Sequence, residues 1–453
     1  MKTLIESPKE IPIIAETEVL VIGGGPSGLT AAIAAARCGA KTMIVERYGC
    51  LGGVLTQVGV ESFAWYRHPG TIDCEGIGRE YELRAQEMGF TRPEPQSISQ
   101  VIDSEGFKVV ADKMITDAGV TPLYHSWVVE VIKEGNTMTG VIVESKSGRG
   151  AILAQRIVDC TGDADVAAKA GAPYYQRPKE QLMGVTVMFH CSGVDVKKFQ
   201  KFVNEELKPT YADWGKNWTI KTTGKEDDMF SPYMEDIFTR AQEEGVIPGD
   251  ASAIAGTWSS FTDAGEVMQL NMVYAFGYDC TNVWDLTKAE IAGRQQAIWA
   301  IDALRHYVPG FENAKLRNFG MTLGTRESRL IDGEVRVQDD YVLQQGRCED
   351  SVGIFPEFID GSGYLILPTT GNYFQIPYRC LLPKVIDNLL VAGRCISAGV
   401  IAHTSMRNMM CCSVTGQAAG TAAAESVKQG VTVRNIDIKA LQQTLVKQGA
   451  RIH

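Results

Sequence analysis

Three glycines at fixed spacing carry the clearest chemistry of this chain. Gly23-x-Gly25-x-x-Gly28 follows the apolar run Glu18-Val-Leu-Val-Ile22 and leads into the Ala-rich stretch Leu29–Cys38. In such a turn the first glycine permits the tight reversal, the second lets backbone approach a pyrophosphate, and the third lets helix and strand pack closely. The helix N-terminus then offers unpaired N–H groups and the positive end of a dipole to phosphate. Glu46 lies 21 residues beyond Gly25, closing a second strand, Lys41–Val45. An acid there is the expected acceptor for ribose hydroxyls. Strand, turn, helix, strand and acid in register predict a dinucleotide site, against the alternative of a glycine turn with a solvent-exposed acid. Glu46 disfavours a 2′-phosphate and therefore NADP.

A second set of residues offers proton and anion chemistry. His403 and Arg407 are four residues apart, so one helical turn can place both on one side. Imidazole moves protons near neutral pH, and guanidinium holds a carboxylate or carbonyl. The competing roles are a buried histidine bonded to backbone and a structural ion-pair partner. Arg326, Glu327 and Arg329 form a charged cluster between apolar residues, fitting either a substrate-anion site or an interdomain salt-bridge network. Tyr66-Arg-His68 lines a pocket or forms a solvated turn, and Tyr373 and Tyr378 fit packing better than chemistry. No Cys-x-x-Cys or His-Glu-x-x-His spacing occurs, so no metal site is expected. Cys411-Cys412 is expected as two buried thiols, because a vicinal disulfide is strained.

The elements that must position these groups follow from pattern. Gly39 is placed to cap the first helix. Val128–Ile132, Gly140–Glu144 and Ala151–Val158 are short extended runs split by Glu134-Gly-Asn136 and Ser147-Gly148, which predicts an antiparallel three-strand meander. Thr287-Lys-Ala-Glu290 reads as a capping box opening a helix with Ile291, Ile298, Ile301 and Leu304 as its apolar stripe, ended by Val308-Pro-Gly310. Asp387–Ala392 returns to a buried strand, Gly416–Ser426 is an Ala-rich helix, and a last helix starts at Asp437 with Ile438, Leu441 and Leu445 as its stripe. The expected fold is α/β: a Rossmann-like domain, with a parallel sheet and the meander, formed by residues 1–171 and 381–453. It is interrupted by an α+β substrate or cap domain at 172–380.

Composition bounds the partners. The chain has 453 residues, with 44 Lys and Arg against 54 Asp and Glu, a net charge of −10. That charge repels phosphate backbones, so nucleic acid is not an expected partner. No apolar run reaches the roughly 20 residues of a membrane helix, so no membrane insertion is expected. Met1–Pro12 carries Glu6, Lys9 and Glu10 and does not read as a secretory signal. The 11 cysteines are scattered and odd in number, which fits reduced thiols in a cytoplasmic protein.

Four segments resemble the FAD-dependent oxidoreductase family, single-chain members of the glutathione-reductase-type flavoproteins. Val21-Ile-Gly-Gly-Gly-Pro-Ser-Gly-Leu29 is similar to the first FAD motif, implying contacts from Gly23, Gly25, Pro26, Ser27 and Gly28. Glu46-Arg-Tyr-Gly-Cys-Leu-Gly-Gly53 is similar to the acid and glycine pair along the pyrophosphate and ring, implying Glu46, Arg47, Gly52 and Gly53. The meander and Val158-Asp-Cys-Thr-Gly-Asp-Ala-Asp165 imply Val129, Thr161 and Gly162. Asn388-Leu-Leu-Val-Ala-Gly-Arg-Cys-Ile-Ser397, with Gly416-Gln-Ala-Ala-Gly420, implies Gly393 and Arg394. Gly324-Thr-Arg-Glu-Ser-Arg329 and Gln375-Ile-Pro-Tyr-Arg379 also look like family signatures.

The resemblance implies FAD, and it carries the segment holding His403 and Arg407 past the flavin ring. It makes His403, Arg407 and Arg326 the candidate catalytic groups. Cys50 precedes the glycine pair, but the next cysteine is Cys74, so the Cys-x4-Cys pair of disulfide reductases is missing. No second Gly-x-Gly-x-x-Gly with an acid follows, so electrons are expected from a small organic substrate or from an external donor or acceptor. The expected activity is hydride transfer between that substrate and flavin N5. The alternatives are a C=C reductase resembling fumarate reductase, with Arg407 holding a carboxylate, and an FAD-bearing electron-transfer subunit; the charge argues against an RNA-modifying flavoprotein. A homo-oligomer is compatible with the insertion.

Overall fold

The computed structural model describes residues 2–214, 218–221, 226–251, 254–368 and 371–453. The first βαβ unit forms as its sequence demands. Strand β1 (Ile13–Ile22) pairs in parallel with β2 (Thr42–Val45), and helix α1 (Pro26–Arg37) crosses between them. Pro26 suits the first helical turn, where its missing N–H costs nothing. Gly39, at φ 91°, follows the cap residue Cys38 and donates to Ala36 O.

The long strand Gly148–Asp159 organises the main sheet. Along one edge it runs parallel to β1 from Ile13 to Ile22. Along the other edge its first half pairs antiparallel with Thr137–Ser145, and Ile157–Asp159 pair in parallel with Leu389–Val391. Trp127–Glu134 completes the meander, and Thr121–Leu123 closes the far edge beside β2, giving seven strands. The fold is therefore mixed α/β with a Rossmann-type parallel sheet.

Helix Met409–Gln429 lies against α1 in backbone contact. A Cβ on Gly416 would sit 2.0 Å from Ser27 O, and one on Gly420 would sit 2.0 Å from Ala31 O. Both helices present alanine and glycine on the shared face, so their axes approach closely. Leu441 and Leu445 of helix Ile438–Lys447, capped by Asp437, close this core.

A second core lies between residues 185 and 323. Five antiparallel strands form its sheet, in the order Ile254–Thr257, Glu266–Val273, Phe189–Ser192, Lys315–Phe319, with Ser260–Thr262 also on Glu266–Val273. Apolar residues between Val337 and Cys380, within the expected cap segment, pack instead into the core of α1 and Met409–Gln429.

Helix Val283–Tyr307 over the second sheet differs from its sequence pattern. Asn282 caps it, its Oδ1 accepting from Trp284 N and Asp285 N, so it begins before Thr287. Glu290 does not close a capping box; it accepts from Thr322 Oγ1 and Leu323 N. Ile291 and Ile298 are 62% and 38% exposed, and the packed face is Ala289, Gly293, Ala297, Ala300, Ile301 and Leu304. Small residues win that face because Gly293 lies directly against Val187, whose Cγ2 would be 2.3 Å from an added Cβ. Among the described residues no helix is long and apolar enough to cross a membrane.

Candidate active site

One cavity runs from the glycine turn, past the end of the meander, to the junction with the second core. At its first end, Gly23 (φ 93°) donates to Val45 O at 2.8 Å, and an added Cβ would meet Cys160 O at 2.6 Å. A Cβ on Gly28 would lie 1.7 Å from Gly23 O, so Gly28 fixes α1 against the turn without lining the cavity. Gly25 is the open position: an added Cβ meets protein only at Gly53 Cα, 3.9 Å away. Gly52 N donates to Gly24 O at 2.8 Å, which brings Gly53 over Gly25. Gly52 and Gly393 also stand behind the wall; Gly393 N donates to Thr415 Oγ1 at 3.0 Å.

Glu46 is buried at the end of β2. Its Oε2 accepts from Gly24 N at 2.6 Å and its Oε1 from Tyr48 N at 2.9 Å. Burial raises its pKa, opposed by these N–H groups. A carboxylate has about four lone-pair sites, so Glu46 braces the glycine turn and keeps acceptor capacity for a ribose. Arg47 lies over the Tyr48 and Trp127 rings, at 4.9 and 5.1 Å. The meander meets the cavity at Ser126, Trp127 and Val128. Val129, expected at the wall, is not there: the register shifts between Val128 and Glu130, and the bulge takes Val129 off the lining.

Thr161, Gly162 and Asp163 form the facing wall with Arg394. Asp159 holds this loop, accepting from Thr161 N and Oγ1 and from Val166 N and Ala167 N. Asp163 Oδ1 accepts from Arg394 Nη2 at 2.8 Å and from Ser328 Oγ at 2.5 Å. Burial acts to raise the Asp163 carboxyl, but Arg394 outweighs it and holds the group below its ordinary value.

The far end is built from distant segments. Arg326 donates to Gly184 O at 2.7 Å and Asn271 Oδ1 at 3.3 Å, with its guanidinium over the Tyr274 ring at 4.6 Å. Arg407 donates to Asp360 O at 2.6 Å, stands 3.5 Å from Asp360 Oδ2, and leaves its Nε without a partner. Burial weakens the hold of Arg407 on its proton, and Asp360 counters it. Thr186, Asn271, Asp360, Ser62 and Trp65 share this wall. No motif marked these five, since only the second sheet and its connections bring them to the cavity.

The expected pairing of His403 with Arg407 does not form at the cavity. Helix Val400–Met406 ends at Arg407, whose long side chain reaches the wall. His403 is 1% exposed, donates from Nε2 to Arg394 O at 3.1 Å, and does not line the cavity. Burial, then the charges of Arg407 and Arg394, push its imidazole down to about 3. The Arg-Glu-Ser-Arg segment divides: Arg326 enters the cavity, Glu327 takes a bidentate pair from Arg177, Ser328 bonds Asp163, and Arg329 bonds Asp165. Tyr66, Arg67 and His68 lie outside the cavity lining. Tyr66 and Arg67 join a buried network with Asp73 and Glu82. The eleven cysteines, Cys411 and Cys412 included, are free thiols.

A 168-residue stretch is 32% identical to a thiamine thiazole synthase of Saccharolobus solfataricus, covering 34% of this chain and 58% of that protein. The corresponding protein of Metallosphaera sedula matches at 31% over 166 residues. The chain thus spans less than two thirds of the length of the curated relatives it matches. Among solved structures, a geranylgeranyl bacteriochlorophyll reductase-like protein of Thermoplasma acidophilum aligns with TM-score 0.44 and 14% identity, over 96% of this chain and 83% of that one. The p-nitrophenol 4-monooxygenase PnpA of Pseudomonas putida aligns with TM-score 0.47 and 10% identity, over 96% and 85%. The family described as FAD dependent oxidoreductase matches residues 18–445, and with the phosphate cradle open only at Gly25 and the acid at Glu46 in place, the chain belongs to that family and takes FAD as its cofactor.

Proposed function

We propose that this oxidoreductase transfers a hydride between flavin N5 and a small organic acid held by Arg326 and Arg407. When bound, FAD supplies the two-electron chemistry. The observation that carries the substrate class is a charge imbalance at the far end of the cavity. Two guanidiniums meet one carboxylate there, Asp360, and Arg326 bonds only neutral oxygens among the described residues. A carboxylate would restore balance and take charge-assisted hydrogen bonds. Thr186 and Asn271 would orient it; Thr186 Oγ1 donates to Asn271 Oδ1 at 2.8 Å, which fixes the amide that Arg326 uses. An external electron donor or acceptor completes the cycle.

The same arginines also suit a double-bond reductase, in which an unsaturated acid is reduced. Anaerobic titration of the holoenzyme with hydroxy, amino and unsaturated acids, each beside its uncharged amide, tests both directions. An acid should reduce the bound flavin, or reoxidise it after photoreduction, while the amide fails. Equal rates with the amides would refute an anionic substrate. Arg326→Ala and Arg407→Ala should each raise the substrate KM or slow the half-reaction by about 10- to 100-fold, the worth of a hydrogen bond to a charged group. His403→Ala should instead keep the half-reaction rate and lower the melting temperature, because its ring bonds the Arg394 backbone away from the cavity.

Glu46→Ala should weaken FAD binding by about 1.5–3 kcal/mol through loss of charge-assisted hydrogen bonds. FAD affinity by ultrafiltration checks this, and an unchanged affinity would remove Glu46 from the ribose site.

A further inference from the structure

One hydroxyl on the cavity wall has surroundings that the cofactor site and the arginines do not explain. Ser62 faces the cavity beside Phe63 and Trp65. Its N–H donates to Gln269 Oε1 at 2.6 Å, and Gln269 Nε2 donates to Ser62 Oγ at 2.9 Å. Because Oγ accepts from Gln269, its own proton remains for another acceptor. Gln269 makes this double contact from a backbone φ of 50°, inside strand Glu266–Val273 and beside a register shift. A glutamine in the left-handed region is strained and persists only where its surroundings hold it; such strain clusters at functional sites.

Two buried carboxyls lie near Ser62: Glu61 precedes it in the chain, and Glu94 continues the strand Thr91–Pro93, whose partner strand Gln100–Ile102 bridges Ser62 through Val101. Glu94 is 5% exposed, and neither of its oxygens has a hydrogen-bond partner among the described residues. Glu61 is fully buried; its Oε1 accepts from Ser104 N at 3.1 Å and its Oε2 has no partner. Burial pushes Glu94 up to about 8; the Ser62 hydroxyl opposes this, and the charges of Glu61 and Glu82 add to it. Burial likewise pushes Glu61 up to about 7, aided by Asp103 and opposed by Ser104 and Arg92. Around them, Glu82 is paired with Arg67 and Arg79, Arg92 with Asp103, and the Tyr211 phenol feels Glu94. A bare buried carboxyl costs folding free energy that an apolar residue would not, so its presence beside a strained clamp on a cavity hydroxyl points to use.

We propose that Ser62 and Glu94 form a proton relay for the cavity, with Ser62 exchanging a proton with bound substrate and Glu94 storing it. The relay rests on the hydride-transfer reading above. In substrate oxidation, a substrate O–H or N–H bond breaks and its proton bonds Ser62 Oγ, as the Oγ proton passes to a Glu94 carboxylate oxygen. No electrons enter the relay; the pair leaves with the hydride, and the stored proton returns to solvent by the same route after product departs. Reduction runs the relay backward. Gln269 is a positioning residue that aims the hydroxyl. Oxidation needs the Glu94 carboxylate, so its rate rises as pH passes about 8; reduction needs the acid, so its rate falls there.

The test uses FAD-loaded wild type, Glu94→Gln, Glu94→Asp and Ser62→Ala. Infrared spectroscopy without substrate should show a protonated-carboxyl band that titrates near pH 8 in wild type. The band should be absent in Glu94→Gln and titrate higher in Ser62→Ala, which loses the hydroxyl that favours the carboxylate. With the acid found in the anaerobic titration, Glu94→Gln and Ser62→Ala should slow the half-reaction about 10²- to 10⁴-fold and flatten its pH profile, with FAD content retained. Glu94→Asp should restore part of the pH dependence. A band indifferent to Ser62→Ala, or wild-type rate and pH profile in Glu94→Gln, would overturn the relay. If no acid exchanges electrons with the flavin, the substrate reading fails, and the infrared shift in Ser62→Ala alone decides whether Ser62 and Glu94 are coupled.

Discussion

Gly28→Ala is expected to destroy the FAD site with the fold around it, whereas Gly25→Ala is expected to fold and lose FAD. The two residues belong to one motif and differ in what surrounds them. At Gly28 a methyl group would lie 1.7 Å from Gly23 O and 3.3 Å from Cys160 Cβ. Backbone cannot yield there alone, because Gly23 N is bonded to Val45 O and α1 is held along its length by Gly416 and Gly420. Overpacking a core typically costs about 1–3 kcal/mol, and a clash this deep with backbone belongs at or beyond the top of that range. At Gly25 the backbone has φ −69° and ψ −173°, which alanine adopts freely, and a methyl group meets only Gly53 Cα at 3.9 Å. It would project where pyrophosphate must approach the helix N-terminus. Melting temperature and FAD content, measured on both variants, separate the outcomes. Wild-type melting and flavin content in Gly28→Ala would show that α1 and the turn move apart more easily than their contacts imply.

That contrast also shows what a sequence can carry. The spacing of Gly23, Gly25 and Gly28 and the acid at Glu46 are local, so the nucleotide end of the cavity was legible: strand, helix and turn each form within a few residues. The meander was legible for the same reason, through its alternation and its turns. The substrate end was not. Arg326 meets Asn271 across 55 residues, Arg407 meets Asp360 across 47, and Ser62 meets Gln269 across 207. No periodicity links such pairs. His403 and Arg407 have the spacing of one helical turn, yet the helix stops at Arg407 and the two side chains serve different surroundings. Thr287-Lys-Ala-Glu290 has the composition of a helix start, but Asn282 caps four residues before Leu286 and Glu290 serves the loop at Thr322.

Stability is expected to peak near pH 6.5 and to fall toward pH 8, an outcome set by buried titratable groups of opposite kinds. Burial pushes His68 and His190 down to about 4 and His403 to about 3. The unfolded chain binds protons at these histidines below about pH 6.5 while the native state does not, so their contribution is present above that pH and lost as pH falls. Burial raises Asp165 to about 6, Glu61 to about 7 and Glu94 to about 8. Here the native state keeps protons that the unfolded chain has released above about pH 4 to 4.5. Their contribution is complete at low pH and lost as pH rises through the native values.

Each such group changes stability by about 1.4 kcal/mol per pH unit between its two pKa values. From about pH 4.5 to 6 three histidines oppose three carboxyls and the slopes nearly cancel. Of these six groups only Glu61 and Glu94 still act above pH 6.5, and their loss by pH 8 is about 3 kcal/mol, most of it from Glu94. Below pH 4.5 the histidines act alone and stability falls again. Urea unfolding at fixed FAD concentration across this range should trace that curve, and Glu94→Gln should flatten its alkaline limb while leaving the acid limb in place. A stability that holds or rises from pH 6.5 to 8 would mean that Glu94 is ionised in the native protein and cannot hold a proton for the cavity beside it.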